Sequence, residues 1–507
     1  MTRLVKPLAV ATAALGCAAG VVSALQPPVP PAAAKVVDKP ATEKPGTEKP
    51  GPVELKCAVE PKPLSDQVKK GLAYLAKSQQ PDGGWNQGGG WRTALDGRGG
   101  RIEGKDVEDP SDVGNTCFAL LAFVRSGNTP TEGEYKEHVK KGLAFVFDRI
   151  EKADSDSLSV TDVRNTQLQS KIGPYVDTFL ANLVMAELKG KAGDQEKRLG
   201  PCLDKTLRKI TKNQQGNGQF AGNGGWAPIL SQALANKGLS QARAKGAAVS
   251  DEVLSRAAEQ SRVASVVATG TAGKLGESPG AGGIAGGVGG GTGGIAGGSG
   301  GGMYGIGGGG VAGSPAGAAA GPGDAGVPLY RLAQGAGNSQ DIVNSLVGDA
   351  DKARAILADP KAPVMAKGLA KRQLGRVSKL SDDNATAQQN LRGQIQNSSF
   401  VAGFGSNGGE EFLSFLNISE ALLIGGGPDW EKWDKKMIDG LVRVQDKDGS
   451  WSGQHCITGK TFCTAAALLV LTADRTQFPA AAIEQAKKDV AKAAAEKNSG
   501  TKDEKKK

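Results

Sequence analysis

Histidine and the common catalytic motifs are scarce in this sequence. Only His138 and His455 carry an imidazole among 507 residues, and there is neither a nucleophile elbow nor a P-loop. One G-x-G-x-x-G match lies inside a glycine run with no strand before it, so it is not evidence of a nucleotide site. The sequence therefore gives no support to a serine hydrolase or a P-loop enzyme.

Aromatic residues are also few, at 5% of the chain. The net charge of +10 would by itself suit an anionic partner. Much of the positive charge lies in the C-terminal tail, and no basic patch is interleaved with aromatic side chains as single-strand binders require. A solvated basic tail explains the charge more simply. We predict no nucleic-acid partner.

The N-terminus has the features of an export signal. Arg3 and Lys6 precede an apolar run, Leu8–Ala24, that ends in the small residues Val22-Ser23-Ala24. We predict a signal peptide over residues 1–24 and a periplasmic, cell-envelope or extracellular location. Two alternatives stay open, a retained membrane anchor and lipidation at Cys17, whose motif fits only in part. Membrane contact is expected only through these features.

Two further segments have low complexity. Ten prolines between Gln26 and Pro63, with a tandem T-E-K-P-G, predict a semi-stiff spacer after the signal. Glycine supplies 28 of the 57 residues from Gly270 to Gly326. Such a segment buries too little apolar surface to offset its ordering entropy, and we predict that it is disordered.

A short turn motif recurs in the chain. The sequence Q-x-x-D-G-x-W occurs twice, and its matched residues are Gln79, Asp82, Gly83 and Trp85 in the first copy and Gln445, Asp448, Gly449 and Trp451 in the second. The Asp-Gly pair tolerates the left-handed conformation of a tight turn, and the Trp can fold back onto its own hairpin. A degenerate copy runs from Gln214 to Phe220. Recurrence of this kind indicates a repeat architecture.

Two kinds of helix alternate around these turns. Helices of mixed charge are predicted at Asp66–Ser78, Lys136–Ile150, Leu203–Asn213 and Trp433–Val444, and apolar helices at Val113–Arg125, Tyr175–Leu188, Trp226–Ala235, Glu411–Leu423 and Thr461–Leu471. A helix that is apolar on nearly all sides needs cover on both faces, whereas a mixed one needs a single covered face. The alternation therefore predicts an inner ring of apolar helices wrapped by an outer ring.

The helix, the Q-x-x-D-G-x-W turn and the following apolar helix together resemble the repeat of the prenyltransferase and squalene-oxidase class, which includes terpenoid cyclases and protein prenyltransferases. The resemblance implies an all-α fold, an α/α toroid of about five to six helical hairpins. We divide the chain into the signal peptide (1–24), a proline-rich linker (25–63), a first toroid part (64–237), an insertion (238–396) with the glycine-rich segment 270–326, a last toroid part (397–475), and a charged helix with a lysine-rich tail (476–507).

The resemblance also implies catalytic positions, and these are poorly filled here. Class II terpene cyclases protonate their substrate with the central acid of a D-x-D-D-T motif, and the nearest match keeps Asp112 and Thr116. Gly114 stands where the proton donor would be, and a general acid needs a titratable group. Asp109, in a charged loop ahead of this helix, is a second weak catalytic candidate, although a solvated loop is the simpler interpretation.

The zinc site of protein prenyltransferases is not recognisable. His455, Cys456 and Cys463 lie close together and are weak metal candidates, but structural zinc usually takes four ligands and no others are visible. A disulfide between Cys456 and Cys463 is a better explanation in an exported protein. A bridge between Cys117 and Cys463 is its rival, because the first and last inner helices would be neighbours in a closed ring. We predict no cofactor.

The six tryptophans suggest one ligand-binding possibility. Trp85 and Trp451 are best explained as packing residues of the repeat turns. Trp91 and Trp226 lie in glycine-rich settings near the expected ring mouth and are the best candidates for contact with a ligand.

The sequence favours an exported, non-catalytic α/α toroid that acts as a binding or scaffold module at the cell envelope, its partner an unknown envelope protein or an apolar ligand. One alternative is a divergent terpenoid cyclase or prenyltransferase-like enzyme that acts on an isoprenoid. A second alternative is a structural matrix protein that uses its glycine-rich segment. Fold alone does not decide among them.

Overall fold

Helices make up most of the structure, a computed structural model that describes residues 55–93, 101–104, 107, 109–268, 326–405 and 408–504. The predicted signal peptide, with its possible anchor and Cys17, lies outside the described residues. So do residues 25–54 of the linker and all of the glycine-rich segment except Gly326. The prediction of an all-α fold is confirmed for the described part of the chain.

Fifteen α-helices occur in the described ranges. They are α1 Asp66–Ser78, α2 Val113–Arg125, α3 Lys136–Lys152, α4 Gln167–Ile172, α5 Val176–Leu188, α6 Glu196–Asn213, α7 Pro228–Ala244, α8 Asp251–Ala268, α9 Gly326–Ala358, α10 Val364–Gln396, α11 Ser398–Ala402, α12 Glu411–Leu423, α13 Gly427–Arg443, α14 Lys460–Leu471 and α15 Ala480–Glu504. Four short strands accompany them: β1 Leu55–Cys57, β2 Gly90–Thr93, β3 Arg101–Gly104 and β4 Gln477–Pro479.

Several helix bounds agree with the sequence prediction, and others extend beyond it. The helices α1, α2 and α12 begin and end where they were predicted. In contrast, α9 begins at Gly326, the last residue of the glycine-rich segment. Its glycines resemble helix breakers in the sequence, but a Cβ on Gly335 would lie 2.7 Å from Ser265 and one on Gly337 would lie 3.1 Å from Asn417. Glycine is needed there for close helix packing, and the helix continues through it.

Six apolar helices contact one another in a closed circuit. The helix α2 packs on α5, α5 on α7, α7 on α9, α9 on α12, α12 on α14, and α14 returns to α2. We call these six the circuit helices. In five of them nearly every residue is buried, as expected for helices covered on both faces. The sixth, α9, comes from the stretch 238–396 that the sequence analysis assigns to an insertion.

A second set of helices packs against the circuit helices, and each helix of this set buries one of its own faces there. These flanking helices are α1 on α14, α3 on α2, α6 on α5, α8 and α10 on α9, and α13 between α12 and α14. They are amphipathic, and in α6 the apolar residues Leu199, Leu203, Leu207 and Ile210 form the buried face. Spacing of three to four residues places such side chains on one face of a helix. The predicted helices of mixed charge are thus among the helices that flank the circuit.

The first repeat turn packs against the next flanking helix. The Gln79 amide Nε2 donates to the carbonyls of Gly83 (2.8 Å) and His138 (3.0 Å), so it ties its own turn to α3. Gly83 has φ of 87°, the left-handed conformation that the Asp-Gly pair predicts. The Trp85 indole N–H donates to the Leu75 carbonyl at 2.7 Å. Trp85 is therefore held against its own hairpin.

The last repeat turn repeats this geometry on the first flanking helix. The Gln445 Nε2 donates to the carbonyls of Gly449 (2.8 Å) and Gln67 (2.9 Å), and the Trp451 indole donates to the Leu441 carbonyl at 2.9 Å. Because Gln67 belongs to α1, the last repeat turn is joined to the first of the described helices. The same junction is reinforced by the antiparallel pairing of β1 with β4.

Two glycines make room for the two tryptophans. A Cβ on Gly142 in α3 would lie 2.8 Å from the Trp85 ring, and one on Gly71 in α1 would lie 2.9 Å from the Trp451 ring. These distances are shorter than carbon atoms tolerate, so each tryptophan ring packs against a glycine, which has no side chain.

Within the described ranges, none of the helices combines the length and the apolarity needed to cross a membrane.

Candidate functional site

Asp112 stands at the start of α2 and caps it. Its carboxylate accepts from the backbone N–H of Asn115 (2.7 Å) and from the Asn115 side-chain amide (2.8 Å). An N-cap carboxylate of this kind satisfies one of the N–H groups that a helix leaves without an internal partner. Asp112 is buried, so its position as a cap is fixed from all sides.

A second buried carboxylate, Asp177 of α5, lies beside the same helix start. It accepts from the backbone N–H of Gly114 (2.9 Å) and from the Gln169 amide (2.8 Å). A Cβ on Gly114 would lie 3.4 Å from one oxygen of Asp112 and 3.4 Å from one oxygen of Asp177. The place where the family resemblance expects the proton donor is therefore bordered by a carboxyl from the neighbouring helix. Sequence inspection missed this, because the two positions are 63 residues apart.

Burial shifts the titration of these two groups. Removal from water raises the pKa of Asp112 to about 8, and the nearby charge of Asp177 adds to the rise. Burial also raises the pKa of Asp177, against the hydrogen bonds from Gln169 and Gly114 that favour its charged form. Two carboxyl groups buried side by side do not both ionise easily, because their negative charges repel each other away from water. We infer that the pair keeps a proton near neutral pH.

The loops that precede α2, α4 and α14 are joined to one another by side-chain amides. We call residues 85–93, 163–166 and 454–459 the entry loops. The Gln167 Oε1 accepts from the backbone N–H groups of Thr458 (3.0 Å) and Gly459 (2.9 Å), and the Gln87 Oε1 accepts from the backbone N–H of Gln167 at 3.3 Å. These hydrogen bonds hold the entry loops together at this end of the circuit.

Asp109 lies in the same network. One of its oxygens accepts from the Gln87 backbone N–H at 3.1 Å, and the other is buried without a hydrogen bond. Burial raises its pKa to about 6, against the hydrogen bond from Gln87 and the charge of Arg92. The expectation of a solvated loop residue is wrong for Asp109, because its carboxyl turns inward to hold the first entry loop.

The predicted ligand-contact tryptophans differ in exposure. Trp91 is only 7% exposed; its indole donates to the Cys456 carbonyl at 2.7 Å, and the Lys171 ammonium lies 5.3 Å from its ring. Trp226 is 37% exposed, just before α7. Trp91 therefore links two entry loops, and Trp226 is the one of the two that presents a large apolar surface to solvent.

The weak metal candidates surround a buried glutamate instead of a common point. The His455 Nδ1 lies 3.1 Å from the Cys456 Sγ, and the Cys456 thiol hydrogen-bonds Glu410. The Cys463 thiol donates to the Ile457 carbonyl at 3.6 Å. In the part of the chain that the structure describes, no group of three His, Cys, Asp or Glu side chains is placed to hold a metal ion.

Neither predicted disulfide is formed. Among the described residues no disulfide bond involves Cys456, Cys463, Cys117, Cys57 or Cys202. The prediction rested on Cys456 and Cys463 being only seven positions apart, but the loop between them directs Cys463 inward, to the Ile457 carbonyl, and Cys456 toward Glu410. Burial, with smaller contributions from Asp177 and Asp112, raises the pKa of Cys117.

The centre of the circuit is filled by side chains. Phe118, Leu183, Leu234, Leu413 and Leu469 converge there from five circuit helices, and the free space among them is about 10 Å³. That is room for about one water molecule, whereas sites for small organic ligands enclose roughly 300–1,000 Å³. The space that these described side chains leave is too small for a C15 or larger isoprenoid.

A buried ion network ties the circuit helices together near this centre. The Glu420 carboxylate of α12 pairs with the Arg125 guanidinium of α2 (2.8 Å) and the Lys237 ammonium of α7 (2.5 Å). Arg125 also makes a bidentate pair with Glu187 of α5, and Lys237 pairs with Asp341 of α9 at 2.7 Å. Five of the six circuit helices thus contribute one charge each to a single network.

Comparison of this chain with protein-family models, with curated proteins and with solved structures gives no match.

Proposed function

We propose that this protein is a non-catalytic α/α toroid that acts as a binding or scaffold module at the cell envelope. The closed circuit of six apolar helices, covered by flanking helices, supports the toroid, and so does the docking of the last repeat turn on α1. The basic and apolar N-terminus of the sequence supports export. A toroid of this kind presents its loops and its outer helices to partners.

The observation that carries the non-catalytic part of the proposal is the filled centre. Catalysis on an isoprenoid needs a cavity that encloses the chain, and the space among the circuit helices is about 10 Å³. The five-helix ion network near the same centre fixes the helices in this packed arrangement. Binding therefore belongs to the surface, and the entry-loop end with the exposed Trp226 is the surface that we favour.

Capture from an envelope extract tests this surface with three forms of the full chain: wild type, Trp226→Ala and Val490→Ala. Val490 is an exposed apolar residue of α15 and serves as the matched control. A protein partner that is retained by wild type and the control but lost from Trp226→Ala supports the proposal. A partner retained equally by all three forms contradicts the choice of the entry-loop end.

One observation favours a second candidate, a divergent terpenoid cyclase-like enzyme. The Asp177 carboxyl borders the position of Gly114, and its raised pKa suits a general acid. Incubation with squalene and with prenyl diphosphates separates the two candidates. Product formation that is abolished by Asp177→Asn supports the enzyme, and unchanged substrates support the scaffold. The third possibility, a glycine-rich matrix protein, rests on a segment outside the described residues.

A further inference from the structure

The turn between α9 and α10 carries a group of exposed apolar side chains. Val364 is 89% exposed, Met365 79% and Leu369 56%, and they lie on the first turns of α10. Met365 and Leu369 are four residues apart, so they share a face of the helix. We call residues 354–369 the hairpin tip.

This hairpin tip extends beyond the packed part of the protein. The last buried residue of α9 is Ala353 and the first of α10 is Ala370, and none of the residues 354–369, all of which the structure describes, is buried. Five residues of α9 and six of α10 therefore project past the core. At 1.5 Å per residue this is a projection of roughly 8 Å. The apolar side chains are on a protrusion and not in a groove.

The charge around the hairpin tip is predominantly positive. Between residues 359 and 372 there are four basic residues, Lys361, Lys367, Lys371 and Arg372, and a single acidic one, Asp359. Asp359 accepts from the backbone N–H of Lys361 at 2.8 Å and so stabilises the turn itself. Among the described residues no ion pair involves Lys361, Lys371 or Arg372. The hairpin tip and the turn that follows it therefore keep a net positive charge.

We propose that the hairpin tip docks on an anionic lipid surface, with Val364, Met365 and Leu369 entering the headgroup boundary and the four basic residues facing lipid phosphates. Apolar side chains flanked by Lys and Arg are the combination that holds a helix in a membrane interface, and each basic residue near an anionic leaflet adds attraction. A protein partner would need a groove to receive a convex tip, whereas a bilayer surface deforms around it. This inference goes beyond the proposed function and does not depend on it.

Vesicle co-sedimentation tests the proposal with the full chain. Vesicles of phosphatidylcholine alone are compared with vesicles that contain phosphatidylglycerol. The first variant is Val364→Ser with Met365→Ser, the second is Lys361→Gln with Lys371→Gln and Arg372→Gln, and the matched control is Val490→Ser. Any binding through the N-terminal apolar run is common to all forms and cancels in the comparison. Because the substituted side chains are exposed, circular dichroism should show unchanged helicity.

The expected result is that each multiple variant lowers the partition coefficient on phosphatidylglycerol vesicles by about tenfold or more, while Val490→Ser leaves it unchanged. Added salt should weaken wild-type binding, because the attraction between surface charges is screened. Equal binding of wild type and both variants would overturn the proposal. Equal binding to both kinds of vesicle would overturn the preference for anionic lipid. Capture of an acidic protein by the hairpin tip, without vesicle binding, would replace the lipid by a protein partner.

Discussion

Two groups of buried carboxylates lie in this molecule, and they differ in the charges that surround them. At the starts of the circuit helices, Asp112, Asp177 and Glu410 are buried with hydrogen bonds from neutral groups. Near the circuit centre, Glu420 is equally buried but touches two cations. The comparison teaches that burial alone does not set the protonation state of a carboxylate; its partners do.

The pKa values show this difference. Burial raises the pKa of Glu410 to about 8, although a hydrogen bond from Ile457 partly opposes the rise. Burial acts in the same direction on Glu420, but the charges of Lys237 and Arg125 outweigh it and lower the pKa of Glu420 to about 2. At pH 7 these values favour protonated Asp112 and Glu410 but an ionised Glu420, although all three carboxyls are buried.

The largest expected effect comes from breaking the ion network at Glu420. Glu420→Gln leaves Arg125 and Lys237 with less compensation inside the protein, and loss of one partner from a buried ion pair costs about 3–5 kcal/mol. Unfolding in guanidinium chloride measures this loss. The control is Asp439→Asn, which removes the exposed Lys435–Asp439 pair of 2.9 Å and should change stability by less than about 0.5 kcal/mol. A similar loss in both variants would contradict the network's role.

A smaller effect is expected for Arg125→Lys, which keeps the charge. Lysine cannot make the bidentate contact with Glu187 and reach Glu420 and Thr476 at the same time. We expect a loss of about 1–3 kcal/mol, since hydrogen bonds to charged groups contribute about that much. Calorimetry of both proteins at pH 7 measures it. An unchanged melting temperature would mean that charge alone, and not geometry, holds this network.

The two groups should respond to pH in opposite ways. A raised folded-state pKa means that the native protein binds a proton that the unfolded chain has released, so the contribution of Asp112 falls as pH rises from about 4 toward about 8. The slope per group is about 1.4 kcal/mol per pH unit. The contribution of Glu420 is present above the unfolded value near 4 and is lost as pH falls toward 2.

Asp112→Asn tests the alkaline side of this comparison. Asn is as good an N-cap as Asp, and its amide can donate to the Asn115 oxygen, which is buried without a hydrogen bond. The variant should therefore fold normally and show a flatter loss of stability between pH 5 and 8 in urea titrations. A variant whose pH profile matches wild type would show that Asp112 does not titrate in this range.

The smallest expected effects concern single glycines. Gly71→Ala places a methyl group against the Trp451 ring and should cost about 1–3 kcal/mol. Gly348→Ala, at a position in α9 with open space around it, should instead stabilise by about 0.5–1 kcal/mol. Denaturant midpoints of the two variants should move in opposite directions, and an unchanged or raised midpoint for Gly71→Ala would contradict the docking of the last turn on α1.

Local features of this fold were predictable, and long-range ones were not. The apolar run that forms α2 and the turns around Trp85 and Trp451 were predictable because period and turn chemistry act within a few residues. The pairing of Arg125 with Glu420 spans 295 residues, and nothing in the local sequence marks it. The inward course of the loop before Cys463 depends likewise on contacts made after folding.

Mass spectrometry of the purified full-chain protein, after lipid extraction, tests the central claim most directly. The filled centre predicts that no isoprenoid is recovered in a stoichiometric amount, because about 10 Å³ of space holds at most one water. Recovery of one isoprenoid per chain would show that the circuit opens to enclose a ligand, and it would contradict the scaffold proposal.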